Sequence, residues 1–164
     1  MKHFDRGRAF CYTFEPFIGI KMMKTYIPTE KDFQRKTYLI DAAGKTLGRL
    51  ATRIASLLIG KGKSCFAVDQ LSGDHVVVVN GSKIYVTGNK RTQKIYKHYT
   101  GYPAGLKTYT FEELMAEKPE EILLRAVSRM LPKNKLGREM LRRLRVYAGS
   151  EHRQQSQQPI PLTV

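Results

Sequence analysis

Four cations recur through one short segment at a spacing that suits a binding surface. Lys135, Arg138, Arg142 and Arg145 stand at i, i+3, i+7 and i+10. At about 100° per residue they share one arc of a helix. Leu136, Met140 and Leu144 occupy the opposite arc, with Leu141 at its edge. One face then packs while the other offers guanidiniums, whose planar fork donates two parallel hydrogen bonds to a phosphate. Gly137 in the same segment allows a close backbone approach, at some cost in helix propensity. A second segment, Gly88 to Gly101, interleaves Lys90, Arg91, Lys94 and Lys97 with Tyr96 and Tyr99, and sets His98 between Lys97 and Tyr99. Such cations neutralise phosphates, and aromatic faces stack on unpaired bases or pack on ribose. The plainer readings are that the tyrosines fill a local apolar cluster and that His98 is a surface histidine.

Catalytic patterns fail on inspection. Gly60-Lys61-Gly62-Lys63-Ser64 ends like a phosphate-binding loop, but the motif needs a glycine where Leu57 stands and a strand, not a helix, before it. A basic loop there can still touch phosphate without catalysis. The four histidines, His3, His75, His98 and His152, are dispersed, with no two at metal-ligand spacing. Cys11 and Cys65 sit in different contexts, so neither a disulfide framework nor a four-ligand zinc site is expected. Cys65 reads as a small, half-buried thiol. Ser150 lacks the glycines of a nucleophile elbow. The pairs Glu112-Glu113 and Glu120-Glu121 fall at helix starts, where acids have a structural reason. No catalytic residue, metal or cofactor is expected.

Charge strengthens the binding reading. The chain has 164 residues and carries 29 Lys+Arg against 14 Asp+Glu, a net +15. Self-repulsion of that size opposes a compact monomer unless counter-charge is bound, which points to a polyanionic partner. The excess is concentrated: His75 to Phe111 has six basic residues and no acid, and Ile122 to the end has nine against two. Between them, Glu112 to Glu121 has five acids and Lys118 alone. No apolar run approaches the roughly 18 residues of a membrane helix. A reducing, intracellular setting is expected, and the sequon Asn80-Gly81-Ser82 would matter only in a secreted protein. Met1 to Met22 differs in character from the rest of the chain and reads as an extension or a misplaced start, with Met23 as the functional start. A transit peptide is the rival, opposed by two acids and no serine.

These surfaces need a scaffold. Thr37 to Ile40 reads as a strand closed by Asp41 and a turn at Gly44. Leu47, Leu50, Ala51, Ile54, Leu57 and Leu58 form one helical stripe stopped by Gly60 and Gly62. Val76 to Val79 suits a strand buried on both faces. A turn at Asn80-Gly81 leads to an expected short strand, Lys83 to Thr87, and then to a long basic loop or hairpin through Gly105. Thr110 and Glu113 have capping-box spacing. Pro119 opens the next helix, whose apolar face runs Ile122, Leu123, Ala126, Val127, Met130, Leu131 to a stop at Pro132. A helix from about Lys135 to Arg143 comes next, then a strand from Leu144 to Tyr147. The order β-α-β-β-α-α-α-β predicts an α/β domain with a helix-covered, largely parallel sheet.

Leu47-Gly48-Arg49-Leu50-Ala51, Val86-Thr87-Gly88-Asn89-Lys90-Arg91, Met130-Leu131-Pro132-Lys133 with Leu136-Gly137-Arg138, Val146-Tyr147-Ala148-Gly149 and Glu151-His152 stand in order. From about Met23 to Val164 the chain resembles the bacterial or organellar large-subunit ribosomal protein thirteen family. The resemblance implies a three-layer α/β/α fold with a mostly parallel four-stranded sheet, a basic loop and an extended C-terminal tail. Its boundaries are 1–22 for the extension, 23–152 for the domain and 153–164 for the tail. It also implies a structural constituent of the large subunit that binds its ribosomal RNA early in assembly, on ribosomes of the cytoplasm or of a plastid. Neighbouring large-subunit proteins are expected partners, and neither a membrane nor a small-molecule substrate is. Joined to the charge reading, it assigns RNA contact to Lys45, Arg49, Lys61, Lys63, Lys90, Arg91, Lys94, Lys97, His98, Lys107, Arg129, Lys133, Lys135, Arg138, Arg142, Arg143, Arg145, His152 and Arg153. Phe66 to Ser72, Ser128-Arg129 and Tyr102-Pro103-Ala104 depart from the family's usual residues and alter local contacts there. The rivals are a free RNA-binding regulator and a nucleotide-dependent transferase using Gly60 to Ser64.

Overall fold

Thr37–Asp41 forms β1 in a computed structural model that describes residues 28–29 and 32–163. The expected extension, Met1 to Met22, lies outside the described residues. The chain then makes α1 (Leu47–Ile59), β2 (His75–Val79), α2 (Lys90–Gln93), β3 (Ile95–Tyr99), β4 (Leu106–Thr110), α3 (Phe111–Glu117), α4 (Pro119–Ser128), α5 (Lys135–Arg142), β5 (Leu144–Val146) and β6 (Ile160–Pro161). Four strands form one parallel sheet in the order β5-β2-β1-β6, and β3 pairs antiparallel with β4. This is the α/β class and parallel sheet that the sequence predicts.

The reasons are local first. The α1 stripe buries Leu47, Leu50, Ala51, Ile54, Ala55 and Leu58, and Gly60 ends the helix at φ +82°, a left-handed conformation that costs glycine nothing. Val76 to Val79 are all buried, as a continuous β-branched run suggests. Val76 and Val78 join Ile40, Leu144, Val146 and the apolar faces of α1, α3, α4 and α5 in one cluster. Fully burying each such side chain contributes about 1.5–3 kcal/mol. Thr110 caps α3: the Glu113 N–H donates to its Oγ1 at 3.3 Å, and its own N–H donates to the Glu113 carboxylate at 2.8 Å. Pro119 begins α4 with Glu120 and Glu121 in the first turn.

The sheet corrects the expected order. Lys83 to Thr87 is not a strand. Gly81–Lys83 is a 3-10 turn, and Tyr85 makes a single bridge with Thr46. Both edges of β1 are already taken, by β2 and by β6, so the 83–87 segment meets the loop before α1 instead. The fourth strand comes from the tail, where Ile160 and Pro161 align with Tyr38 and Leu39 and the Leu162 N–H donates to the Leu39 carbonyl at 2.8 Å. A proline is tolerated because β6 is an edge. Of the two readings for Gly88 to Gly105, the hairpin holds, entered through the short α2. α4 stops at Ser128 rather than at Pro132, because the Met130 and Leu131 amides both turn back to the Val127 carbonyl. Leu131 still buries, but Met130 is exposed.

Candidate nucleic-acid interface

The two basic tracts, separated in sequence by the acidic stretch Glu112 to Glu121, meet across α4. Arg125 and Arg129 stand one turn apart on that helix and at its end. On one side they share a cleft of about 280 Å³ with Lys90 and Lys94 from α2 and its exit. On another they share a shallow depression with Lys97 and His98 of β3 and Leu141 of α5. Leu141 and Ser128 in turn border Lys133 and Arg138. A continuous basic band therefore runs from α2, over the C-terminal end of α4, to α5.

Its groups are crowded by like charge. Lys94 is half-buried, 5.2 Å from the Tyr96 ring centroid, and Arg125 lies 5.7 Å from the same ring. Burial pushes the Lys94 ammonium below its ordinary pKa, and the Arg129 and Lys90 charges push it further. Acids sit at the rim. Arg91 Nε is 3.7 Å from Glu112, Arg125 bonds Glu121 at 2.8 Å and Arg142 bonds Glu139 at 2.7 Å. The Arg91 and Arg142 pairs are exposed and contribute little to stability.

The other expected residues distribute unevenly. Lys107 lies directly opposite His98 in the β3–β4 ladder, and both are exposed. Lys133, Lys135, Arg138 and Arg142 are exposed around α5. Arg145 is not on that helical face. α5 ends at Arg142, and as a strand residue Arg145 points away from Leu144 and Val146, to the opposite side of the sheet. Arg49 is exposed in the first turn of α1, Lys61 beyond its end and Arg153 in the tail. Lys45 is half-buried in the loop before α1, its carbonyl accepting the Tyr85 N–H at 3.0 Å. His152 is half-buried, with Nδ1 enclosed and unpartnered.

Two expected residues turn inward. Lys63 Nζ bonds the buried Asp74 carboxylate at 2.5 Å and the Gln34 carbonyl at 2.9 Å. Arg143 Nη1 donates to the Gly73 carbonyl at 2.8 Å. His75 lies beside them. Burial lowers its pKa first, and the Arg143 and Arg35 charges lower it further against the pull of Asp74. This knot ties the exit of α1 to the N-terminal ends of β1 and β5.

Arg125, which lines both depressions, is not among the residues expected from the sequence. The signal for Arg125 is its i, i+4 relation to Arg129 on the polar side of an otherwise apolar helix. Among the described residues, no helix is long and apolar enough to cross a membrane.

The sequence matches the family described as "Ribosomal protein L13" over residues 35–153. Among curated relatives, the "Large ribosomal subunit protein uL13" of Thermoanaerobacter sp. (strain X514) is 50% identical over 142 residues, covering 87% of this chain and 99% of the relative. That of Tolumonas auensis is 53% identical over 142 residues, covering 87% and 100%. That of Clostridioides difficile is 54% identical over 137 residues, covering 84% and 96%.

Proposed function

Because the chain belongs to the ribosomal protein L13 family, we propose that it is a structural constituent of the large ribosomal subunit that binds large-subunit ribosomal RNA and supports early assembly. The family is one of structural ribosomal proteins, so the chain is not an enzyme. The observation that carries the RNA reading is the basic band of Lys90, Lys94, Lys97, His98, Arg129, Lys133, Arg138 and Arg142, assembled from segments distant in sequence. Phosphate contacts of this kind position a protein, while the shape of the folded RNA supplies specificity. Exposed Arg49, Lys61, Lys107, Lys135, Arg145 and Arg153 extend the contacts to other sides, and neighbouring large-subunit proteins are the further partners. The ribosome, cytoplasmic or plastid, is where the protein acts.

Binding of the full chain to large-subunit ribosomal RNA tests this across a salt series. The triple variant Lys97→Gln/Arg138→Gln/Arg142→Gln should bind more weakly and flatten the salt slope by roughly 0.7–0.9 per lost phosphate contact. An unchanged slope removes this face from the interface. Co-sedimentation with large subunits after a salt wash separates the ribosomal role from that of a free RNA-binding regulator.

A further inference from the structure

The β3–β4 hairpin has two unlike faces. Residues directly opposite in an antiparallel pair share a face, and neighbours along a strand alternate. Tyr96 and His98, opposite Tyr109 and Lys107, make one face, and Tyr96 on it is buried in the core cluster. Ile95, Lys97 and Tyr99, opposite Thr110, Thr108 and Leu106, make the other. On that face Ile95, Tyr99 and Leu106 are each more than half exposed, with Lys97 between Ile95 and Tyr99. The two tyrosines interleaved with lysines in the sequence therefore part: Tyr96 fills the core, and Tyr99 stands in solvent at 62% exposure.

A further tyrosine stands at the tip. Tyr102 is 74% exposed, yet the turn that carries it is held in place. The Thr100 N–H and hydroxyl both donate to the Gly105 carbonyl, at 3.0 and 3.1 Å, and the Gly105 N–H donates to the Tyr102 carbonyl at 2.9 Å. Ala104 adopts φ +57°, a left-handed conformation that disfavours a residue with a Cβ. Apolar surface gathered on one ordered element marks an interaction site. Charge decides the occupant. From His75 to Phe111 the chain has no acid, and Lys97 and Lys107 project from the hairpin itself. Lys97 also borders the depression it shares with Arg129, so the outward face is continuous with the basic band. The partner is then anionic and offers flat apolar surfaces. An unpaired RNA strand does both, since its bases stack on aromatic rings while its phosphates meet lysines. A duplex keeps its base faces stacked on one another and offers none.

We infer that the outward face of the hairpin binds an unpaired RNA segment, with bases stacked on Tyr99 and Tyr102 and a neighbouring phosphate on Lys97. The inference rests on the RNA-binding reading and deepens it: the band takes phosphates, and the hairpin takes bases.

The test measures binding of the full chain to a mixed-sequence single-stranded RNA decamer with 2-aminopurine at its centre, and to the same decamer annealed to its complement. Binding should quench the 2-aminopurine of the single strand. Tyr99→Leu and Tyr102→Leu keep apolar area but lose the flat ring. Each should weaken single-strand binding about tenfold, the effect of one stacked base, and by the same factor at every salt concentration, because stacking releases no counterions. Tyr99→Phe and Tyr102→Phe keep the ring and should bind within about twofold of the parent. Duplex binding should be indifferent to all of these variants, and so should the melting temperature, since both positions are exposed. Equal losses for phenylalanine and leucine, equal losses on the duplex, or no loss on the single strand overturns the inference, and in the last case the face is left to a protein neighbour. The Lys97/Arg138/Arg142 triple variant separates this inference from the reading it rests on. If that variant flattens the salt slope while the leucine variants bind like the parent, stacking fails and the RNA-binding band stands. If the slope is unchanged while the leucine variants still lose the single strand, the band fails and the hairpin stands.

Discussion

At the residue scale, Lys61 and Lys63 are alike in sequence and unlike in structure. Both sit in the glycine-hinged exit of α1, and charge alone gives them the same phosphate-binding role. Lys61 is exposed, whereas Lys63 is spent on Asp74, which also accepts the Lys36 N–H at 2.9 Å. Removing one partner of a largely buried pair leaves the other charge uncompensated. Lys63→Gln should therefore lower stability by about 2–3 kcal/mol in urea unfolding. Lys61→Gln should stay within about 0.5 kcal/mol and act only on the salt dependence of RNA binding. Equal stabilities for the two variants would remove the knot from the account. The cation was legible in the sequence. Its partner was not, because Asp74 lies 11 residues on and Gln34 lies 29 back, and only the packing of β1 against β2 brings all three together.

At the element scale, α5 shows how far periodicity carries. The 3.6-residue pattern places Met140 inside and Arg138 and Arg142 outside, and the structure agrees. The expected close approach at Gly137 is also present: a Cβ there would run into the Pro132 carbonyl oxygen, while the Gly137 N–H bonds the Asn134 side chain at 2.8 Å. Gly137→Ala would gain roughly 0.8–1 kcal/mol in helix propensity. The clash with backbone should outweigh this and leave a net loss of about 1–3 kcal/mol, measurable by thermal or urea unfolding. A stabilised variant would mean that α5 shifts freely. The pattern failed at Arg145 because it has no term for where a helix stops. Past Arg142 the side-chain period changes from 3.6 to 2, and Arg145 leaves the face it would have shared.

At the scale of the whole molecule, the tail is part of the fold. Ile160 and Pro161 extend the sheet beside β1, Leu162 packs against the central cluster, and the Tyr147 hydroxyl donates to Gln154 at 2.6 Å on the way. Removing residues 159–164 should lower the melting temperature by roughly 2–8 °C, the shift for a loss of about 1–2 kcal/mol at this size, monitored by circular dichroism. The RNA salt slope of the band should not change. An unchanged melting temperature would make β6 a passive strand. A two-residue strand with a proline carries almost no pattern of its own, so the tail looked like an extended segment, and Lys83 to Thr87, with more β-forming residues, looked like the missing strand.

Local chemistry was enough for much of this protein. Short-range periodicity dictated α1, β2 and α5, and cap residues dictated the start of α3, because each depends on neighbours a few residues away. The strand that completes the sheet, the inward turn of Lys63 and Arg143, and the joining of Lys90 and Lys94 to Arg125 and Arg129 were decided by tertiary structure. Each is a contact between distant segments whose free energy comes from shared burial and charge, and neither quantity exists until the chain has closed on itself.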